Sequence, residues 1–194
     1  LTTFVLFHFG LNRGSVDGDL ASGILWVTLL FAAILAINRL FVADEEQGGC
    51  DGFLLAPVDR SALLIAKFLT LLAYLVVLEL VAVPAFGLLL LGPSLGPALP
   101  GLGAVLGLAD LGIAAVGTLV SAIAVRSRTR DLLGPLLALP LLVPVVIGAS
   151  RATSPLLAVG GVGRIPMHWL TTLGLYDLVF GLLTYAVLDF LLED

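Results

Sequence analysis

Long apolar runs separated by short polar connections make up almost the whole chain. Five runs are long enough to cross a bilayer as helices, since about 20 apolar residues span its hydrocarbon core. These five runs are residues 21–42, 62–91, 102–125, 132–149 and 170–192. A sixth run, residues 1–11, has about half the length that a span requires, and we interpret it as a partial span.

Helices are the conformation that these runs predict. In hydrocarbon, every backbone amide must be paired within its own segment or in a closed barrel. The runs lack the alternating polarity of barrel strands. The pattern therefore predicts an all-α fold, a polytopic transmembrane helix bundle of six spans with the first truncated at its N-terminus. The connections are too short to hold a second domain, so residues 1–194 are predicted to form one transmembrane domain.

The distribution of arginine and lysine predicts the orientation, because basic residues are retained on the cytoplasmic side. If the spans alternate, the two sides carry six basic residues and three: Arg39, Arg60, Lys67, Arg126, Arg128 and Arg130 against Arg13, Arg151 and Arg164. The larger set places the connection at residues 43–61, the connection at residues 126–131 and the C-terminus in the cytoplasm.

Composition supports a membrane environment and argues against other classes. The chain is 60% hydrophobic and 12% charged, whereas about a quarter of the residues in soluble domains are charged. Its net charge of −5 offers no basic field for nucleic acid. Cys50 is the only cysteine and has no partner for a disulfide or a zinc site.

Motifs for soluble catalysis are absent from the sequence. It contains no GxxxxGK[ST] phosphate loop, no HExxH pair and no GxSxG elbow. We therefore expect no cofactor in this chain, and any ATP that drives its work must be hydrolysed by a partner subunit.

The second connection is the most informative polar segment. It begins with the acids Glu45 and Glu46, and after a pair of glycines it carries a small apolar cluster before a charged pair. A short amphipathic element of this kind can dock in a groove of a soluble partner. An interfacial turn that only returns the chain to the bilayer is the alternative. The residues expected to couple to a partner are Glu45, Glu46, Gly48, Asp51, Phe53, Leu54, Leu55, Pro57 and Arg60.

Two segments resemble one transporter family. Residues 41–57, FVADEEQGGCDGFLLAP, are similar to the coupling segment of the CcmB family, haem exporter protein B, and Lys67 follows at the head of the next span. The second match is LPLLVP at residues 139–144, in a span introduced by RSRTRD. Ala56 stands where a serine often precedes the proline, and Asp51 where glutamate is usual.

The resemblance implies a permease subunit of an ABC-type transporter in cytochrome c maturation. It implies a multi-pass protein of the bacterial inner membrane that works with a separate cytoplasmic ATPase and with other cytochrome c maturation subunits, and that forms a homodimer or a larger assembly. Haem is the cargo that the family name implies, although ATP-driven release of a haem-loaded chaperone is an alternative. The resemblance implies no catalytic residue in this chain.

Four residues inside the spans are candidates for a transport path or a subunit contact. Glu79 and Asp110 are acids in otherwise apolar runs, where an ionised carboxylate costs about 2.5 kcal/mol or more. A neutral acid hydrogen-bonded to a neighbouring helix is the other interpretation. Pro140 and Pro144 each remove a backbone donor from one predicted helix, which occurs both in moving and in static bundles.

Two other functions fit part of this pattern. A permease of the same architecture that exports a drug, a lipid or a polysaccharide would need a similar coupling segment. An intramembrane enzyme could use Glu79 and Asp110 if both carboxyl groups reached one substrate atom. The sequence spacing does not decide that geometry.

Overall fold

The computed structural model describes residues 1–11, 16–46, 60–91, 95–124, 130–158 and 165–192. These ranges form six α-helices and contain no strand: α1 Thr2–Gly10, α2 Gly18–Glu46, α3 Arg60–Phe86, α4 Leu95–Ala124, α5 Arg130–Thr153 and α6 Met167–Leu192. A π-helical turn, Gly87–Leu91, extends α3, and a 3₁₀ turn, Ser154–Leu156, follows α5.

The five long helices confirm the predicted transmembrane bundle. Each of α2 to α6 contains an apolar stretch long enough to cross a membrane: Gly18–Arg39, Leu64–Leu90, Leu95–Val120, Leu136–Leu156 and Met167–Ala186. The first helix, α1, has nine residues, in keeping with the short first segment expected from the sequence.

Several helices are longer than the hydropathy pattern predicts. Helix α4 begins at Leu95 instead of residue 102, and Pro97 falls in its first turn, where backbone N–H groups have no helical acceptor to lose. Helix α5 continues to Thr153 instead of ending at residue 149. Its last turn is polar, and it stays helical because its side chains bond to α2, as described below.

Helix α4 is the centre of the bundle. It packs on α3, α5 and α6, and 72% of its apolar stretch is buried, compared with 28% for α3 and 6% for α6. At Gly117 of α4, a Cβ atom would lie 2.6 Å from the Leu71 side chain and 3.0 Å from that of Ile37. A residue without a side chain thus lets α2, α3 and α4 approach closely, as small residues do in membrane bundles.

Backbone hydrogen bonds bring three helix ends together at one end of the bundle. The N–H of Val16 donates to the carbonyl of Leu90 at 2.9 Å, and the N–H of Gly18 donates to that of Leu157 at 3.1 Å. Gly18 has a φ of +53°, a conformation that glycine adopts without steric cost. The start of α2 therefore meets the ends of the α3 and α5 segments, as alternating spans require.

Candidate functional site in the membrane bundle

The acids Glu79 and Asp110 lie near the middle of two neighbouring spans. Glu79 belongs to the apolar stretch of α3, Leu64–Leu90, and Asp110 to that of α4, Leu95–Val120. Because α3 and α4 pack against each other, both carboxyl groups reach the same level of the bundle. We refer to Glu79 and Asp110 as the carboxyl pair.

The two carboxyl groups of the pair lie close enough to interact with each other. Asp110 is 2% exposed, and Glu79 is half-buried. Within the described part of the chain, the Oδ2 atom of Asp110 has no hydrogen-bond partner. Two ionised carboxylates in contact would repel each other strongly in an apolar medium, and a hydrogen bond between two carboxyl groups needs a proton on one of them. A proton on either acid would turn this repulsion into a hydrogen bond.

This geometry bears on the functions considered for the two acids. The two groups are close enough for the interpretation of a neutral acid hydrogen-bonded to a neighbouring helix, which stays a prediction. The carboxyl group of Asp110 is buried within this chain, which argues against acid–base catalysis by the pair in this conformation. A contact of either acid with a partner subunit stays a prediction. A position along a transport path stays a prediction.

The prolines of α5 lie on its outer face. Pro140 and Pro144 are both exposed, and the helix is continuous through them. Since Pro144 has no N–H, the carbonyl of Pro140 lacks its usual helical donor. The hydroxyl of Tyr176 in α6 donates to the next carbonyl, that of Leu141. This hydrogen bond connects α6 to α5 at the proline segment. A role of this segment in transport stays a prediction.

A third intramembrane acid, Asp177 of α6, is not among the residues that the sequence singled out. Both of its carboxyl oxygens are buried and lack a hydrogen-bond partner within the described residues. The carboxyl group lies against Gly112 of α4, where a Cβ atom would be 2.5 Å from Oδ1. A predicted span at residues 170–192 places Asp177 near one end, whereas it lies near the middle of the apolar stretch Met167–Ala186. The feature of the sequence that could have identified Asp177 is an acidic residue inside an apolar run.

A row of polar contacts joins α2 to α5 near the end of the bundle where α2 begins. Asp19 and Arg151 form an ion pair at 3.9 Å, and the hydroxyl oxygens of Ser22 and Ser150 lie 3.2 Å apart. Deeper in the bundle, the Trp26 indole N–H donates to the Thr153 hydroxyl at 3.0 Å. We call these three contacts the polar seam. The sequence did not reveal it, because residues 150–153 were assigned to a connection.

Most of the predicted coupling segment falls outside the described residues. Glu45 and Glu46 form the end of α2, which extends past the predicted boundary at residue 42, and Arg60 is the first residue of α3. The other predicted coupling residues are not among the described ones: Gly48, Asp51, Phe53, Leu54, Leu55 and Pro57. Docking of this segment on a partner remains a prediction.

Comparison with known proteins identifies the family. The sequence model of the family described as "CcmB protein" matches residues 1–189. The chain belongs to the CcmB family. The resemblance inferred from residues 41–57 and 139–144 is thereby confirmed. No solved structure gives a significant match to the chain.

Proteins named "Heme exporter protein B" are among the relatives of this CcmB family member. The protein of Rhodobacter capsulatus is 35% identical over 148 residues, covering 76% of this chain and 67% of the relative. That of Paracoccus denitrificans is 36% identical over 168 residues, covering 85% and 72%. That of Bradyrhizobium diazoefficiens is 32% identical over 186 residues, covering 93% and 81%.

Proposed function

We infer that this chain is the membrane permease subunit of an ABC-type transporter that acts in cytochrome c maturation. The match of the CcmB family to residues 1–189 carries this inference. The five long apolar helices support it, since they suit a multi-pass protein of the inner membrane. No comparable observation favours an exporter of drugs, lipids or polysaccharides, or an intramembrane enzyme.

Energy for this work comes from a separate cytoplasmic ATPase. The sequence carries no phosphate-binding loop, and we propose that ATP is bound by the ATPase subunit and not by this chain. Its predicted contact with the ATPase is the connection at residues 43–61, which the basic residues place in the cytoplasm together with the C-terminus. The cargo is haem, or the work consists in releasing a haem-loaded chaperone from another subunit.

The exposed outer helices support an assembly of several membrane subunits. Only 6% of the apolar stretch of α6 and 28% of that of α3 are buried within this chain. These faces are available to lipid, to a second copy of the chain or to other cytochrome c maturation subunits. We propose a homodimer or a larger assembly around a pair of ATPase subunits.

Replacing Leu55 by aspartate tests this function. If the apolar cluster beside Leu55 enters a groove of the ATPase, the new charge is buried without a partner, at a cost of about 3–5 kcal/mol. Leu55→Asp should therefore remove the ATPase from the purified permease and stop the production of cytochrome c with attached haem. Glu46→Lys should act more mildly, because rim charges mainly change association rates and salt dependence.

The matched control is Leu99→Asp, the same change at an exposed leucine in the first turns of α4, at the opposite end of the bundle. It should leave the ATPase bound. Equal amounts of each variant in the membrane fraction exclude an insertion defect. Full retention of the ATPase by Leu55→Asp would refute the coupling segment, and normal cytochrome c maturation in cells lacking the chain would refute the function.

A further inference from the structure

An open groove runs along the outer side of the polar seam. It has a volume of about 400 Å³ and lies between α2 and α5. Its lining includes Asp19, Gly23, Trp26 and Val27 from α2, and Ile147 and Arg151 from α5. We call it the α2–α5 groove. It plays no part in the proposed coupling to an ATPase, which concerns the opposite end of the bundle.

Charged and apolar parts of the groove are separated by depth. Asp19 and Arg151 stand at its mouth, where the α2 stretch Gly18–Arg39 begins, and their side chains are 77% and 60% exposed. Val27 and Ile147, towards the middle of the membrane, are 43% and 50% exposed. The groove thus offers two opposite charges at the membrane surface and an apolar wall below them.

We propose that the α2–α5 groove binds a phospholipid whose zwitterionic head group carries a primary amine. The phosphate would accept hydrogen bonds from the Arg151 guanidinium, and the ammonium would donate to the Asp19 carboxylate. The first part of one acyl chain would lie on Val27 and Ile147. Each charge of the head group then meets an opposite charge, and the fatty chains remain in the membrane.

Charge complementarity selects this occupant over the others. An anionic lipid without an amine brings only a like charge to Asp19, and a choline head group has no N–H to donate to it. A helix of a partner subunit or of a second copy that filled the groove would bury both Asp19 and Arg151. That burial costs more than an exposed pair at 3.9 Å returns.

The polar seam keeps the groove open. Its deeper contacts, between Ser22 and Ser150 and between Trp26 and Thr153, hold the two helices at a fixed separation. Gly23 leaves space in the wall, because a Cβ atom there would meet nothing within 4 Å. A larger side chain at residue 23 would therefore fill the groove without disturbing its walls.

Tryptophan quenching by brominated lipids measures occupancy of the groove. The chain has two tryptophans. Trp169→Phe therefore leaves Trp26, in the wall of the groove, as the only tryptophan whose fluorescence is recorded. The full chain with this change is placed in phosphatidylcholine micelles. It is then titrated with phosphatidylethanolamine, phosphatidylcholine or phosphatidylglycerol that is brominated on the acyl chains. We expect phosphatidylethanolamine to quench Trp26 at about a fivefold lower mole fraction than the other two lipids.

Three variants decide between this site and general contact with lipid. Gly23→Leu should abolish the preference for phosphatidylethanolamine. Gly103→Leu, at an exposed glycine of α4 whose Cβ would also meet nothing within 4 Å, should preserve it. Asp19→Asn should reduce the preference without abolishing quenching. Equal quenching by the three lipids, a preference for phosphatidylglycerol, or no quenching by any lipid would each overturn the proposal.

Discussion

Asp110 and Glu79 lie beside each other in the apolar part of the bundle. Each belongs to a different helix, so a hydrogen bond between them would also tie α3 to α4. Asp177 has no such partner among the described residues and instead packs against the backbone at Gly112. The two arrangements lead to different expectations for substitutions.

A double-mutant cycle on the carboxyl pair should reveal coupling. Removing either carboxyl alone, by Glu79→Ala or Asp110→Ala, leaves the other without its bond, at a cost of about 1–3 kcal/mol in the free energy of unfolding. Removing both should cost less than the sum of the two single changes. Reversible unfolding of the purified protein in mixed micelles, followed by circular dichroism, gives the free energy of unfolding of the two single variants and the double variant. Thr70→Ala, which removes an exposed hydroxyl on α3, should have little effect, and strict additivity would contradict the pairing.

Gly112 should tolerate a side chain only when Asp177 is shortened. A methyl group at residue 112 would lie 2.5 Å from Oδ1 of Asp177, so Gly112→Ala should destabilise the bundle by about 1–3 kcal/mol. Adding Asp177→Ala removes the obstructing carboxyl group and should recover most of that loss. Gly107→Ala on the same helix, where a Cβ meets nothing within 4 Å, is the control. Thermal midpoints in detergent would rank the variants, and an unchanged midpoint for Gly112→Ala would refute this packing.

At the scale of the helices, the polar seam explains why α5 continues past its last long apolar run. Ser150, Arg151 and Thr153 remain on the helix because each has a partner on α2. The Thr153 hydroxyl also donates to the carbonyl of Ala149 at 2.6 Å. It thereby accepts from Trp26 and donates within its own helix, which satisfies the hydroxyl group and the indole N–H together.

Thr153→Val should weaken the contact between α2 and α5. Valine preserves the shape of threonine but leaves the indole N–H of Trp26, a residue that is 1% exposed, without an acceptor. We expect a loss of about 0.5–2 kcal/mol in the free energy of unfolding, and a change in the tryptophan emission. Thr172→Val removes an exposed hydroxyl that bonds to the carbonyl of His168 four residues earlier. Thr172→Val should change neither the free energy of unfolding nor the tryptophan emission. An equally small effect of Thr153→Val would show that the Trp26 hydrogen bond does not stabilise the protein.

For the molecule as a whole, the distribution of arginine and lysine predicts on which side of the membrane each connection lies. Cys50 is the only thiol and lies in the connection predicted to be cytoplasmic. A membrane-impermeant maleimide should therefore leave it unlabelled in spheroplasts and should label it after the membrane is opened. Labelling from outside would invert the topology and place the proposed coupling segment away from any cytoplasmic ATPase. Cys50→Ser provides the background.

The helical class, the approximate spans and the family can all be predicted from the amino-acid sequence. Apolar length fixes which segments enter a membrane, and the backbone then has to form helices there. The family followed from residues 41–57 and 139–144, which are local patterns that need no tertiary contact to be recognised. Glu79 and Asp110 were also visible as acids within apolar runs, although their spacing did not show that they meet.

The grouping of the polar side chains, in contrast, depends on how the helices pack. The proximity of Glu79 and Asp110 depends on how α3 and α4 are rotated about their axes, and hydropathy does not specify that rotation. The same holds for Asp177 against Gly112. Helix α5 runs to Thr153 because α2 supplies partners for its polar last turn. From the sequence alone, a polar residue near the end of an apolar run is assigned to a connection. The helix that supplies its hydrogen-bond partner is distant in the sequence, so this partner becomes known only from the fold.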